Sequence, residues 1–216
     1  MSRLSVVLPA YNEEQMLAKT CRTLKKILDL AEINYELVIV DDGSTDGSSE
    51  LCDEYARLDG RVIVLHQKNG GICNARNAAL RIAKGKYIAF SDHDDEYMPG
   101  LLEKSYKRAK ETNADVVKFC KKVYVTNDGV LVKERSNHLD DVVWGRKEIK
   151  ENYFRLFDDL KIDCVWDSLF KHSLFTDNDI YFDELHHIYE QQTDLRNLLK
   201  KESEQLMKQL AEKVFK

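Results

Sequence analysis

The chain has 216 residues and a formal net charge of −5, with 43% hydrophobic and 33% charged residues. That length buries one sizeable core with room for an appendage, and the composition is that of an ordinary soluble domain with no apolar run of bilayer length. The negative balance argues against a nucleic-acid polymer as partner and against general attraction to anionic lipid; a small anionic ligand needs local cations and a metal ion to offset the field.

Met1-Ser2-Arg3 leads straight into a strand pattern and does not resemble a leader peptide, so the chain is expected in the cytoplasm. Leu4-Ser5-Val6-Val7-Leu8 reads as a strand stopped by Pro9. Asn12 then N-caps a helix whose Leu17, Cys21, Leu24, Ile27 and Leu28 make one apolar face. A second strand, Tyr35 to Val40, runs into Asp41-Asp42-Gly43-Ser44-Thr45-Asp46-Gly47, where Ser44 or Asp46 caps a helix carrying Leu51, Tyr55 and Leu58. Arg61 to Leu65 is a third strand, Lys68-Asn69-Gly70-Gly71 a loop, 73–83 a small-residue helix and 86–90 a fourth strand. The cysteines at 21, 52, 73, 120 and 164 are odd in number and lack a CxxC pair, which points to reduced thiols.

Strands alternating with helices imply right-handed crossovers and a parallel sheet. The polar loops at 9–14, 41–47 and 91–96 all fall at the carboxyl ends of strands, where such sheets bind ligands. In the third loop, Asp92, Asp94, Asp95 and Glu96 crowd within five residues. Crowded carboxylates raise one another's pKa values unless a cation neutralises them. Asp92 and Asp94, two residues apart, point the same way in extended backbone and suit Mg²⁺ or Mn²⁺ shared with substrate phosphates. The competing reading is a solvated acidic turn in which Asp95 N-caps the next helix.

Beyond Pro99 the pattern gives a helix around 99–112 and a strand at 115–119. A hairpin follows, Lys122 to Val125 and Val130 to Val132, about an Asn127-Asp128-Gly129 turn. Then come a polar connection at 136–145 and a helix near 146–158. Trp166, in the apolar segment Val165 to Phe170, either floors a pocket or packs in the core. From Asp194 to Lys216, Leu195, Leu198, Leu199, Leu206 and Leu210 lie on a charged amphipathic helix. That helix packs back on the domain, pairs with a second copy as a homodimer, or makes a peripheral contact with a membrane surface.

Four blocks carry a resemblance: Ser5 to Glu13, Val40 to Asp46, Asn69-Gly70-Gly71 with Ala75-Arg76-Asn77, and Phe90 to Asp95. In order and spacing they resemble the inverting family 2 glycosyltransferases of GT-A fold, an α/β class with a mainly parallel, Rossmann-like sheet flanked by helices. The resemblance implies a donor-binding half at 1–115 and an acceptor-side half at 116–193 of the same domain, ahead of the C-terminal helix at 194–216. It implies a nucleotide-sugar donor, most often UDP-linked, held by Pro9, Tyr11, Glu13, Asp42, Arg76, Asp92 and His93. His93 is the variable middle position and reads as exposed, not as a metal ligand. Asp92 and Asp94 match the family's DxD motif and would hold Mn²⁺ or Mg²⁺ on the donor diphosphate. The acceptor would be a hydroxyl of a glycan or lipid-linked molecule.

The family usually supplies its catalytic base as the Asp of a Glu-Asp pair. Here Gln191 holds that place, and an amide takes no proton. Glu190 and Asp194 are the candidate bases, with a catalytically weak sugar-nucleotide-binding homologue as the alternative. His186 and His187 nearby read as polar surface. A phosphoryl-transfer enzyme is disfavoured because no GxxxxGK[ST] loop is present.

Overall fold

Four apolar runs whose residues alternate between two buried faces set the architecture. The computed structural model describes residues 4–127, 130–139, 141–158, 164–183 and 209. In it β1 (Leu4–Ala10), β2 (Tyr35–Asp41), β3 (Val62–His66) and β4 (Tyr87–Phe90) run parallel. They are joined by α1 (Glu14–Leu30), α2 (Ser48–Leu58) and α3 (Ile72–Ile82). Leu4, Val6, Leu8, Leu37 and Ile39 meet the apolar face of α1 and Cys52 of α2, while Val7, Val38 and Val40 meet Cys73, Ala75 and Ala79 of α3 on the other side. Period-two alternation with both faces apolar is the signature of a parallel sheet covered on both sides. Each fully buried Leu, Ile or Val there contributes about 1.5–3 kcal/mol.

The chain continues with α4 (Leu101–Thr112), β5 (Val116–Lys118), a separate hairpin of β6 (Lys122–Asn127) and β7 (Val130–Ser136), α5 (Arg146–Asp158), β8 (Ser168–Lys171) and the short α6 (Ser173–Thr176). The main sheet has the order β3-β2-β1-β4-β8-β5, with β8 antiparallel to both its neighbours. Strands from both sides of residue 115 therefore share one sheet. The chain steps outward from β1 to β3 with α1 and α2 on one face. It then returns through α3 on the opposite face to place β4 on the free side of β1. This reversal opens a crevice at the carboxyl ends of β1 and β4.

Several local expectations are corrected. Pro9 does not stop β1: it pairs with Val40, and it lies beyond Val7–Phe90, the last β1–β4 pair, so its missing N–H breaks no ladder on that side. Asn12 is not the cap of α1, which starts at Glu14; its backbone is left-handed, with φ 56°. Ser44 does not cap α2 either, since Gly47 holds the N-cap position, although Asp46 Oδ1 accepts the Ser48 N–H at 3.0 Å. Asp95 does not cap the next helix, because α4 begins at Leu101 after a left-handed Gly100. The hairpin runs further than expected, to Ser136, with a bulge between Val125 and Thr126. The readings on His186, His187, Glu190, Gln191, Asp194 and the 194–216 helix, Gln209 excepted, lie outside the described residues. No described helix is long and apolar enough to cross a membrane.

Candidate active site

Short polar side chains stitch the loops after β1 and β2 together at the crevice. Asn12 Oδ1 accepts the Thr45 N–H at 2.8 Å, and the Asn12 and Glu13 N–H groups donate to the Ser44 and Ser48 hydroxyls at 3.0 and 2.8 Å. Glu14 N–H donates to Asp46 at 3.2 Å. The two loops thus form one rim, from which Tyr11 projects, 47% exposed. Pro9, half-buried, leads into it.

Asp42 is buried at the base of that rim. Its Oδ1 accepts from Gln67 Nε2 at 2.6 Å and Gly70 N–H at 3.0 Å, and its Oδ2 accepts from Gly71 N–H at 2.7 Å. A carboxylate has about four lone-pair sites, so one acceptor site on Oδ2 remains for a ligand donor. Gly43 makes the approach of these loops feasible: its φ is +78°, and a Cβ there would lie 2.7 Å from the Asn69 backbone nitrogen.

Arg76, on α3, brings a cation to the crevice. It is 2% exposed and donates from Nη2 to Asp92 Oδ1 at 2.9 Å, with its guanidinium 5.4 Å from the centre of the Phe182 ring. Its buried Nε has no hydrogen-bond partner among the described residues. The neighbouring Asn77 clamps the 180–183 segment through its amide, donating to the Phe182 carbonyl and accepting from the Phe182 N–H, both at 2.9 Å. Arg76 and Asn77, neighbours on α3, thus hold the acidic loop and the 180–183 segment from one helix.

The acidic loop follows β4. Asp92 is partly buried against Arg76, Asp94 is exposed, and His93 turns back so that its Nε2 lies 3.2 Å from Glu13 Oε1. The His93 carbonyl accepts the Thr20 hydroxyl at 2.8 Å, tying the loop to α1. Burial, with the nearby Asp92 and Asp94 charges, pushes the Asp95 carboxyl up to about 7. Burial also raises Glu13, which His93 counters and Asp94 and Asp46 reinforce. Among the described residues no three His, Cys, Asp or Glu side chains make a ready metal cage. A cation shared with a diphosphate needs only one or two protein carboxylates, and this loop, short of positive charge, offers them.

These features, a reversal crevice lined by a buried arginine, an acidic strand end and a stitched rim, coincide with a family match. Residues 5–178 match the model for Glycosyl transferase family 2. The chain belongs to that family. Glycosyltransferase GlyG of Streptococcus pneumoniae is 43% identical over 115 residues, 53% of this chain and 37% of that protein. The uncharacterized glycosyltransferase EpsJ of Bacillus subtilis is 30% identical over 183 residues, 84% of this chain and 51% of its own length. The chain thus spans about half or less of these relatives. Residues 1–349 of S. aureus TarS in complex with UDP-GlcNAc superpose with a TM-score of 0.63 at 26% identity, over 84% of this chain and 48% of that one. A mannosyltransferase from Pyrobaculum calidifontis, solved with GDP-Man and Mn²⁺, shares the fold at a TM-score of 0.57 and 17% identity, over 85% and 48%.

One cluster at the same end of this glycosyltransferase sheet has no counterpart in the sequence reading. Asp167, fully buried at the entry to β8, is ion-paired with Lys118 at the end of β5 and with Lys121 at 3.0 Å. Its backbone carbonyl accepts the Phe119 N–H at 3.0 Å. Trp166 is half-buried, with the Lys121 ammonium 4.9 Å from its ring centre, so one ring face serves a cation contact. Gln67 was likewise missed. The apolar residues on either side of Asp167-Ser168 signalled only a buried segment, and nothing local marks which lysines reach it.

Proposed function

We propose that the chain is the catalytic part of an inverting glycosyltransferase that moves a sugar from a UDP-linked donor to a hydroxyl of a glycan or lipid-linked acceptor. The observation that carries this reading is Arg76: a permanently charged guanidinium, buried at the crevice beside the DxD acids, whose Nε has no partner among the described residues. A diphosphate would satisfy it. Asp42 would accept from the base through its remaining Oδ2 site, Tyr11 would offer a ring face, and Pro9, Glu13 and His93 would shape the rim. Asp92 and Asp94 would hold Mn²⁺ or Mg²⁺, which when bound neutralises charge on the departing nucleoside diphosphate. The Mn²⁺ and GDP-Man of the archaeal neighbour and the UDP-GlcNAc of the TarS neighbour support this assignment. A relative described as a putative teichuronic acid biosynthesis glycosyltransferase of Bacillus subtilis favours a polysaccharide acceptor.

The base that deprotonates the acceptor is Glu190, with Asp194 second, since Gln191 cannot serve. A catalytically weak donor-binding homologue is the second reading, and Gln191 is the observation that favours it. Turnover of UDP-GlcNAc by the wild type, Glu190→Gln and Gln191→Asp separates them. A working enzyme loses turnover in Glu190→Gln by at least about 100-fold, the low end of general-base contributions. A large gain in Gln191→Asp, with a near-silent wild type, supports the second reading.

A further inference from the structure

Lys121 precedes β6 and Cys164 lies four residues before β8, and the two meet at the sheet end that carries the donor loops. Lys121 Nζ donates to Cys164 Sγ at 2.7 Å while it ion-pairs with Asp167 at 3.0 Å. A separation of 2.7 Å is the short end of the range for N–H···O bonds. Sulfur is larger than oxygen, so these two atoms stand closer than a hydrogen bond between them requires. They are too far apart for a direct N–S bond. Two single bonds of about 1.5 Å meeting at about 111° span about 2.5 Å, and the longer bonds of sulfur stretch that span toward the observed distance. One bridging atom fits between them.

The surroundings hold this geometry. The Lys121 side chain is 9% exposed and is fixed by Asp167 and the Trp166 ring, while Cys164 is half-buried and within reach of a small oxidant. Cys21 and Cys52, by contrast, are sealed in the core, and burial pushes their thiols up to about 12, out of the reactive range.

We infer that Lys121 and Cys164 are a modification site that closes, on oxidation by dioxygen, into a covalent S–O–N bridge between the root of the β6–β7 hairpin and the entry to β8. The O–O bond, the S–H bond and one N–H bond of the neutral amine break, and S–O and N–O bonds form. The second oxygen leaves as water with the two hydrogens, and sulfur and nitrogen are each oxidised by two electrons. The extra proton of the ammonium goes to solvent. The bridge removes the Lys121 charge, so Lys118 remains as the cation paired with Asp167, and it staples two points 43 residues apart in sequence.

The test is mass spectrometry of peptides from the whole chain, held in oxygenated buffer and digested without reductant, against a sample kept in dithiothreitol. The bridge predicts a linked pair of peptides carrying Lys121 and Cys164 at their summed mass plus one oxygen minus two hydrogens, lost on reduction and absent from Cys164→Ser and Lys121→Arg. It also predicts a higher Tm for the oxidised chain. No link, a link lacking the oxygen, or oxidation confined to Cys164 overturns the inference. The wild-type spectra alone decide, so a variant that fails to fold does not blunt the test, and the readout is independent of nucleotide binding.

Discussion

Replacing Asp167 with Asn keeps the volume of the side chain and removes its charge, which makes it a clean probe of the cluster beside the crevice. The carboxylate is fully buried, and the side chains of Lys118 and Lys121 are 16% and 9% exposed, so solvent screens neither ion pair effectively. Asp167 Oδ1 accepts from the Lys118 ammonium and the Ser168 hydroxyl, and each hydrogen bond to a charged group is worth about 1.5–3 kcal/mol. Removing one partner of a buried ion pair costs about 3–5 kcal/mol, because the remaining charge stays desolvated. The two routes agree on a loss of about 3–5 kcal/mol. At about 2–4 °C per kcal/mol for a domain of this size, Tm should fall by about 6–20 °C. Urea unfolding followed by circular dichroism should show a lower midpoint at an unchanged slope. Adding Lys118→Met should recover part of the loss, giving a double mutant less impaired than the sum of the singles. A loss for Asp167→Asn below about 1 kcal/mol, in the range of exposed pairs, would show that the Asp167 carboxylate is not held as a desolvated ion pair.

Gly43→Ala forces a side chain into left-handed backbone at about 1–2 kcal/mol and against the Asn69 nitrogen. It should lower Tm and, by moving the Asp42 loop, weaken UDP binding in calorimetry. Stability should also vary with pH in two windows. His66, whose Nδ1 lies 2.8 Å from Asp41 Oδ2 and whose Nε2 lies 3.0 Å from Asp53, has its pKa raised by these bonds. Its contribution is therefore full below about 6.5 and is lost as pH rises through the higher folded value; His66→Gln should flatten that slope in Tm measured from pH 6 to 9. Asp41 is held down to about 2: burial opposes the shift, and bonds from Ser44, Ser49 and His66 outweigh it. Its contribution is present above about 3.9 and is lost as pH falls toward 2.

The sheet was legible because its strands are buried on both faces and its helices carry apolar stripes at regular spacing. These are periodic signals that tertiary packing reinforces. Leu17, Cys21, Leu24, Ile27 and Leu28 form the buried face expected of them, and the three acidic or polar loops do lie at one sheet edge. The helix caps were not legible in the same way. Short polar side chains that cap a helix locally bond equally well across loops, and Asn12 takes Thr45, 33 residues away. The same limit hid the Asn77 clamp on Phe182 and the Lys118–Asp167–Lys121 cluster, whose partners lie 105 residues apart in the first case and 49 (Lys118) and 46 (Lys121) in the second. Pro9 misled for a different reason: proline forbids a strand only where its N–H is needed, and strand order decides that.

The most direct test of the donor-site assignment is calorimetric titration of UDP, GDP, CDP and ADP into the wild-type chain and Asp94→Asn, each with and without Mn²⁺. UDP is expected to bind, Mn²⁺ to tighten it, and the Mn²⁺ effect to be lost in Asp94→Asn. Binding of no nucleotide under either condition, or a Mn²⁺ effect undiminished in Asp94→Asn, would contradict the assignment of Asp92 and Asp94 as the acids that meet the donor diphosphate.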